Sequence, residues 1–293
     1  LSRIFQNVVL GRLSAAVSKA GGLSENQFGF RDHCSTEMAT ILARGAVAAH
    51  LATSTGPVYS CFVDIKGAYP SCNHDVIMAR LAELGVPEEL WLILDCWFRS
   101  QTMFVQIGKH TGGLFPVTIS VTEGGTFSPL LYNIIADLFV SELEKAGLRF
   151  QQVGACLRLS LSKTLSSVWY ADDGIVNAAS APGLQLLLDI LGRVSGIVLF
   201  VFNVAPNKTA IIIHYSNPSQ RLQKGAIPVF TLNGVPVPVV TEYRHLGVMW
   251  HEFGRISTER SATIPLSVKC TTVCGRAYGS GITSLAVLHG LHL

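Results

Sequence analysis

Three aspartates carry the chemistry that the spacing of this chain suggests. Asp172 and Asp173 are adjacent, inside the run Trp169-Tyr-Ala-Asp-Asp-Gly174, with Val168 before it and Ile175-Val176 after it. That run reads as strand, tight turn, strand, because Asp-Gly between two apolar segments is a strong hairpin signal. Side chains alternate along a strand, so two neighbouring Asp can serve one site only at the turn, where alternation breaks down. Bare carboxylates at the tip of an apolar hairpin repel each other and lose solvation, and divalent cations remove that cost. A solvated turn is the commoner fate of a lone Asp-Asp-Gly, so the rest of the chain must decide. Asp64, near the carboxyl end of the apolar strand predicted over residues 58–65, also needs a reason to be there. If these strands share one antiparallel sheet backed by helices, the fold is α+β and three carboxylates meet at neighbouring strand ends. Such an oxygen-rich site suits Mg²⁺, and two ions about 4 Å apart can activate a hydroxyl and stabilise a leaving oxygen. Spacing alone does not single out three Asp among 19 acidic residues.

The elements that must position them follow from periodicity. A helix is expected over residues 1–20, stopped by Gly21-Gly22, and a loop with two aromatics and Arg31 comes next. Ser35 caps a second helix, which ends at Gly56-Pro57. Asn73 or Asp75 starts a third, Pro87 opens a fourth to about Arg99, and strands are expected near 102–108 and 114–121. Glu123 to Pro129 is a glycine-rich loop running into a helix with Ser128 as N-cap and Pro129 as first helical residue, continuing to Gly147. Irregular strands over 148–168 precede the central hairpin. A helix at 182–195, a strand at 209–214, a hairpin around Asn233-Gly234 and a strand over 243–249 complete the pattern.

Of 293 residues, 49% are apolar and 14% charged, and the mean hydropathy is +0.40. This describes a chain with many buried faces. No charge-free run reaches the length of a membrane span; Asp189 and Arg193 interrupt the closest candidate, Leu184 to Ala205. A net charge of +3 permits a nucleic-acid partner without arguing for one. The seven cysteines are scattered, and the only close pair, Cys270 and Cys274, has no zinc-finger partner pair. Free thiols of an intracellular protein are expected. The chain opens on Leu1 with no signal pattern and reads as a fragment of something longer.

Six segments, in order, resemble the reverse transcriptase domain of non-LTR retrotransposons. They are Gln27-Phe-Gly-Phe-Arg31, Phe62-Val-Asp64-Ile-Lys-Gly-Ala-Tyr69, Gly124-Gly-Thr-Phe-Ser128-Pro, Tyr170-Ala-Asp172-Asp173, Asn207-Lys208-Thr209 and Tyr243-Arg-His-Leu-Gly247-Val. The resemblance implies a right-hand polymerase. Its antiparallel-sheet palm is backed by helices over 56–250, a fingers portion covers 1–55 and the start of a thumb 251–293. It implies RNA-directed DNA synthesis with an RNA template, a DNA primer and dNTP as partners, no membrane, and a nuclear site of action. Asp64, Asp172, Asp173 and the Ile65 backbone would hold two Mg²⁺ ions, with Mn²⁺ a possible substitute. The backbone of Ile65, Lys66, Gly67 and Ala68 would cradle the triphosphate, and Arg31 and Gly124 would also face the nucleotide. Tyr69 would be a steric gate against the 2′-hydroxyl, its alternative being a core aromatic. Lys208 would be a general acid at the pyrophosphate, or an ordinary surface lysine. Arg31 has the alternative of an ion pair or an exposed loop. Ser128, Tyr170, Leu246 and Gly247 would meet template and primer. The chain departs from the family pattern at Glu123, where a neutral or basic residue is usual, and in a longer segment before Asn207. Two other readings stay open: an RNA-dependent RNA polymerase, against which Tyr69 argues, and a degenerate palm-fold remnant that binds RNA without polymerising.

Overall fold

The computed structural model describes residues 2–54, 56–146, 166–205 and 207–253. Six helices are described: α1 (Ser2–Lys19), α2 (Thr36–Thr53), α3 (His74–Glu83), α4 (Glu88–Arg99), α5 (Ser128–Lys145) and α6 (Ala181–Val198). The strands are β1 (Val58–Asp64), the two-residue pieces β2 (Thr102–Met103), β3 (Gln106–Ile107), β4 (His110–Thr111) and β5 (Phe115–Pro116), then β6 (Ser167–Tyr170) and β7 (Asp173–Ala178). After α6 come β8 (Ala210–His214), β9 (Phe230–Leu232), β10 (Val235–Val237), β11 (Val239–Val240), β12 (Glu242–His245) and β13 (Val248–His251).

Caps fix several helix starts, those at Ser35 and Asn73 as the sequence suggests and that at Ser180 without a prior sign. The Ser35 side chain accepts the Met38 N–H, Asn73 accepts those of Asp75 and Val76, and Ser180 accepts that of Gly183. Helix α5 differs. Phe127 takes the cap position with no side-chain bond, and Ser128 is already helical, its hydroxyl donating to Thr122 O at 2.8 Å. Ser128 therefore ties the glycine-rich loop down instead of capping the helix.

A five-stranded sheet in the order β11-β8-β1-β7-β6 organises the molecule. Strand β1 is central and antiparallel to both neighbours, while β11 runs parallel to β8, so the sheet is mixed at its edge. Alternation along β1 gives each sheet face its own core. Tyr59, Cys61 and Val63 join Leu131, Ile135 and Phe139 of α5 and the buried leucines of α6. Val58 and Phe62 face the other way, onto Ala39, Ala43 and Ala46 of α2 and onto Trp250 of β13. Helix α6 is long and apolar enough to cross a membrane by length and composition. Leu184, Leu187, Leu188 and Leu191 are nevertheless packed into the core, so it serves as a core helix.

Three local expectations are corrected. Asp173-Gly174 is not the turn of the central hairpin: Tyr170 pairs with Asp173, so the two loop residues are Ala171 and Asp172, and Gly174 lies in β7 opposite Trp169. Glycine is needed there for space, since a Cβ would sit 2.7 Å from the Trp169 ring. Residues 243–249 are not one strand but part of the β12–β13 hairpin, turning at Leu246-Gly247 with φ of 49° and 78°. A Cβ on Gly247 would meet nothing within 4 Å, so Gly247 marks a turn and not a close backbone approach. The two strands expected over 102–121 are broken into two small ribbons, β2 with β5 and β3 with β4. The expected irregular strands before residue 166, the Cys270/Cys274 pair and nearly all of 251–293 lie outside the described residues.

Candidate active site

The β1–β7 register places Asp64 directly opposite Asp173. Residues opposed in an antiparallel pair have their Cα atoms about 5 Å apart and their side chains on the same face. Asp172 precedes Asp173 at the turn, so one sheet end carries all three carboxylates. Each is half-buried. Burial, then Asp172 and Asp64, push the Asp173 carboxyl up to about 6, and Lys208 works against that rise. Asp172 is raised as well, by burial first and then by Asp64, with a backbone hydrogen bond and Lys208 opposing. Like charges in a partly dry place are what a cation relieves.

Among the described residues, no three His, Cys, Asp or Glu side chains form a ready metal cage. Mg²⁺ does not need one, since it is commonly held through one or two carboxylates, waters and substrate phosphates. The donor set fits such an ion.

Several contacts aim these groups. The Asp64 N–H donates to Thr209 Oγ1 at 3.4 Å. Lys208 Nζ lies 3.3 Å from Asp64 Oδ1, on a side chain 52% exposed, which places the lysine at the acidic cluster without burying it. Tyr243 anchors its backbone: the phenol donates to Lys208 O at 2.6 Å and its ring stacks on Phe62 at 4.8 Å. Burial, followed by Asp64 and Asp173, pushes the Tyr243 phenol up to about 12.

The segment after β1 bends through Gly67, φ 57°. Lys66 N–H is taken by Val201 O at 2.8 Å, and Asn203 N–H donates to Asp64 O at 2.8 Å, so Ile65 is locked beside Phe202. The Lys66 amide is thus not open to a triphosphate, while those of Gly67 and Ala68 meet no acceptor among the described residues. Tyr69 is half-buried, edge-on to Tyr132 at 5.5 Å and stacked with Phe30 at 6.2 Å. Burial, Cys72, Asp172 and Glu123, in that order, push its phenol up to about 12, and Glu123 and Gly124 lie on an exposed loop.

Arg31 behaves differently from a free clamp. Its Nη1 donates to Ser24 O at 2.6 Å and Gln27 O at 3.0 Å, bracing its own loop. Tyr170 is half-buried in β6 and touches both cores, and Leu246 and Gly247 form the β12–β13 turn. Thr209 and the Tyr243 anchor on Lys208 escape sequence reasoning, because both contacts join residues far apart in the chain. Tyr132, buried beneath Tyr69 with no partner for its hydroxyl among the described residues, escapes it as well.

Comparison with known proteins gives the family and the fold. The family model described as "Reverse transcriptase (RNA-dependent DNA polymerase)" matches residues 1–249, and the chain belongs to that family. It is 21% identical over 207 residues to the "Retrovirus-related Pol polyprotein from type-1 retrotransposable element R2" of Nasonia vitripennis, covering 69% of this chain and 19% of that protein. It is also 29% identical over 119 residues to the "Putative 115 kDa protein in type-1 retrotransposable element R1DM" of Drosophila melanogaster, covering 40% and 11%. The chain thus spans a small part of these curated relatives. Among solved structures, apo telomerase from Candida tropicalis superposes with a TM-score of 0.55 at 11% identity, covering 86% of this chain and 40% of that one. That likeness shows a shared polymerase fold.

Proposed function

We propose that this chain adds deoxynucleotides to a primer 3′-hydroxyl on an RNA template, as the polymerase segment of a retrotransposon protein. The observation that carries the reading is the Asp64–Asp173 register with Asp172 in the adjoining turn. In the proposed site Asp64, Asp172, Asp173 and the Ile65 backbone would hold Mg²⁺. The chemistry such an ion would supply there is a lowered pKa for the attacking hydroxyl and neutralised charge on the phosphates. The chain's own groups orient the reactants. The open amides of Gly67 and Ala68 are available to phosphate oxygens, and Lys208, 3.3 Å from Asp64 at the acidic cluster, is the candidate general acid. Tyr69, held between Phe30 and Tyr132, presents a rigid ring where the sugar 2′-position would come, which favours dNTP over rNTP. Leu246 and Gly247, at the β12–β13 turn, would border the path of primer and template, whereas Ser128 is buried with its hydroxyl on Thr122 O and acts only through the loop it ties down. One solved structure of the same fold, telomerase from Candida albicans, is a complex with a fragment of telomeric RNA, which supports an RNA partner here.

The test is primer extension on RNA with Mg²⁺, comparing the unaltered chain with Asp172→Ala, and dNTP against rNTP incorporation in Tyr69→Ala. The reading expects loss of extension in the first variant and a marked gain of rNTP use in the second. Extension that survives Asp172→Ala contradicts it. RNA binding with no extension by the unaltered chain favours the remnant.

A further inference from the structure

The turn that carries Asp172 is built on a residue poorly suited to it. Ala171 has φ 57°, in the left-handed region where its Cβ crowds the backbone and which glycine normally fills. A non-glycine residue persists there when its surroundings over-determine the conformation. Those surroundings are the loop at residues 26–29. Gln27 is fully buried, and its Oε1 accepts the Ala171 N–H at 3.1 Å while its Nε2 donates to Ala171 O at 3.4 Å. One side-chain amide therefore engages both polar groups of the residue before Asp172. The same Oε1 accepts Gly29 N–H at 3.0 Å.

The loop is itself fixed. Trp169 N–H donates to Asn26 O at 2.8 Å and Phe28 N–H to Trp169 O at 2.7 Å, laying the loop along β6. Asn133 of α5 donates to Gly29 O at 2.8 Å, and a Cβ on Gly29 would come within 2.2 Å of Ala171 N. The Arg31 guanidinium closes the loop from its other end through Ser24 O and Gln27 O. Crowding at Ala171 and repulsion among the carboxylates both push the turn to reopen. The buried hydrogen bonds of Gln27 oppose both.

We propose that Gln27 is a positioning residue: its amide holds Ala171 in the left-handed conformation and so sets Asp172 and Asp173 against Asp64. Its side chain is fully buried, so it acts through Ala171 and not directly on nucleotide or cation. The effect on extension rests on the polymerase reading given above; the effect on cation binding does not.

The test uses Gln27→Met, which keeps the volume and removes every hydrogen bond, and Gln27→Asn, which keeps an amide but is one methylene short. Each is made with and without Ala171→Gly, and melting confirms that each variant folds. The readouts are Mn²⁺ binding by electron paramagnetic resonance, and kcat and KM for dNTP in primer extension. The expected loss is about 10–100-fold in Mn²⁺ affinity and in kcat, as for partners that orient ligands from behind, with KM for dNTP within about 2-fold because the nucleotide contacts stay in place. Ala171→Gly should recover much of that loss, since glycine enters the left-handed region freely. Folded variants that bind Mn²⁺ and extend like the unaltered chain overturn the proposal. So does a loss that Ala171→Gly leaves untouched, or failure of both Gln27 variants to fold, either of which assigns Gln27 to the fold alone. Gln27-dependent Mn²⁺ binding in a chain that never extends a primer defeats the polymerase reading and leaves this one standing.

Discussion

Two hairpin turns, the β6–β7 turn that carries Asp172 and the β12–β13 turn, solve the same geometric problem in opposite ways. The β12–β13 turn takes positive φ at both Leu246 and Gly247, and the glycine supplies much of the required freedom from within. The β6–β7 turn takes positive φ at Ala171 and has no glycine in its loop. Its conformation is imposed from outside, by Gln27, by the close approach of Gly29 and by the loop laid on β6. A turn stabilised by its own sequence can sit at an exposed edge. A turn stabilised by its neighbours couples the carboxylates it carries to elements far away in the chain.

Changes at each turn should therefore differ in kind and size. The largest effect expected is for Gly29→Ala, whose new Cβ would sit 2.2 Å from Ala171 N and must push the turn that carries Asp172 away. A displacement near 1 Å costs about 100-fold in rate, read as kcat in primer extension. An unaffected kcat means that the Asp pair does not depend on that contact.

Gly174→Ala comes next. Its Cβ meets the Trp169 ring at 2.7 Å, and because the ring is buried the clash cannot be shed to solvent. Overpacking of this kind costs about 1–3 kcal/mol, measured by denaturant unfolding.

Acid should strain the other side. His245, at the end of β12 beside the Leu246–Gly247 turn, and His214 are buried, and burial holds both down near pH 4. In the window from about 6.5 to 4 the unfolded chain binds more protons than the folded one, so stability falls as pH drops. The loss reaches on the order of 3 kcal/mol per histidine. Asp173, raised to about 6, works in the opposite direction over part of that range. His245→Phe should shrink the loss between pH 7 and pH 5; an unchanged slope means that His245 does not titrate as its burial requires.

The smallest effect belongs to Gly247→Ala. Nothing lies within 4 Å of the added Cβ, so the cost is conformational alone, about 1 kcal/mol. A much larger loss in melting experiments would mean that this turn, too, is held from outside.

The contrast also explains what the sequence could disclose. Asp64, Asp172 and Asp173 stand out because carboxylates in apolar strands need a reason, and motif order tied them together. The β12–β13 hairpin is hidden because Leu-Gly is a weak turn signal beside Asn-Gly, and the sequence reads through it as one strand. Asp173-Gly174 misleads in the other direction: its glycine answers to a tryptophan across the ladder and not to a turn. Ser128 has the right chemistry for a cap one residue too late, and its hydroxyl goes to Thr122. Gln27 heads a recognisable motif, yet its role depends on a partner 144 positions away, which no local pattern encodes. What the sequence leaves unread is the set of contacts between distant segments, and those are the contacts that shape the site.

The most direct test of the whole account is single-nucleotide addition to a primer annealed to RNA, with Mg²⁺, by the unaltered chain and by Asp64→Asn. The substitution keeps shape and hydrogen bonding while removing one charge from the sheet end. The account predicts incorporation by the first and a loss on the order of a thousandfold or more by the second, with melting unchanged or raised as repulsion is relieved. Comparable incorporation by both chains would contradict it.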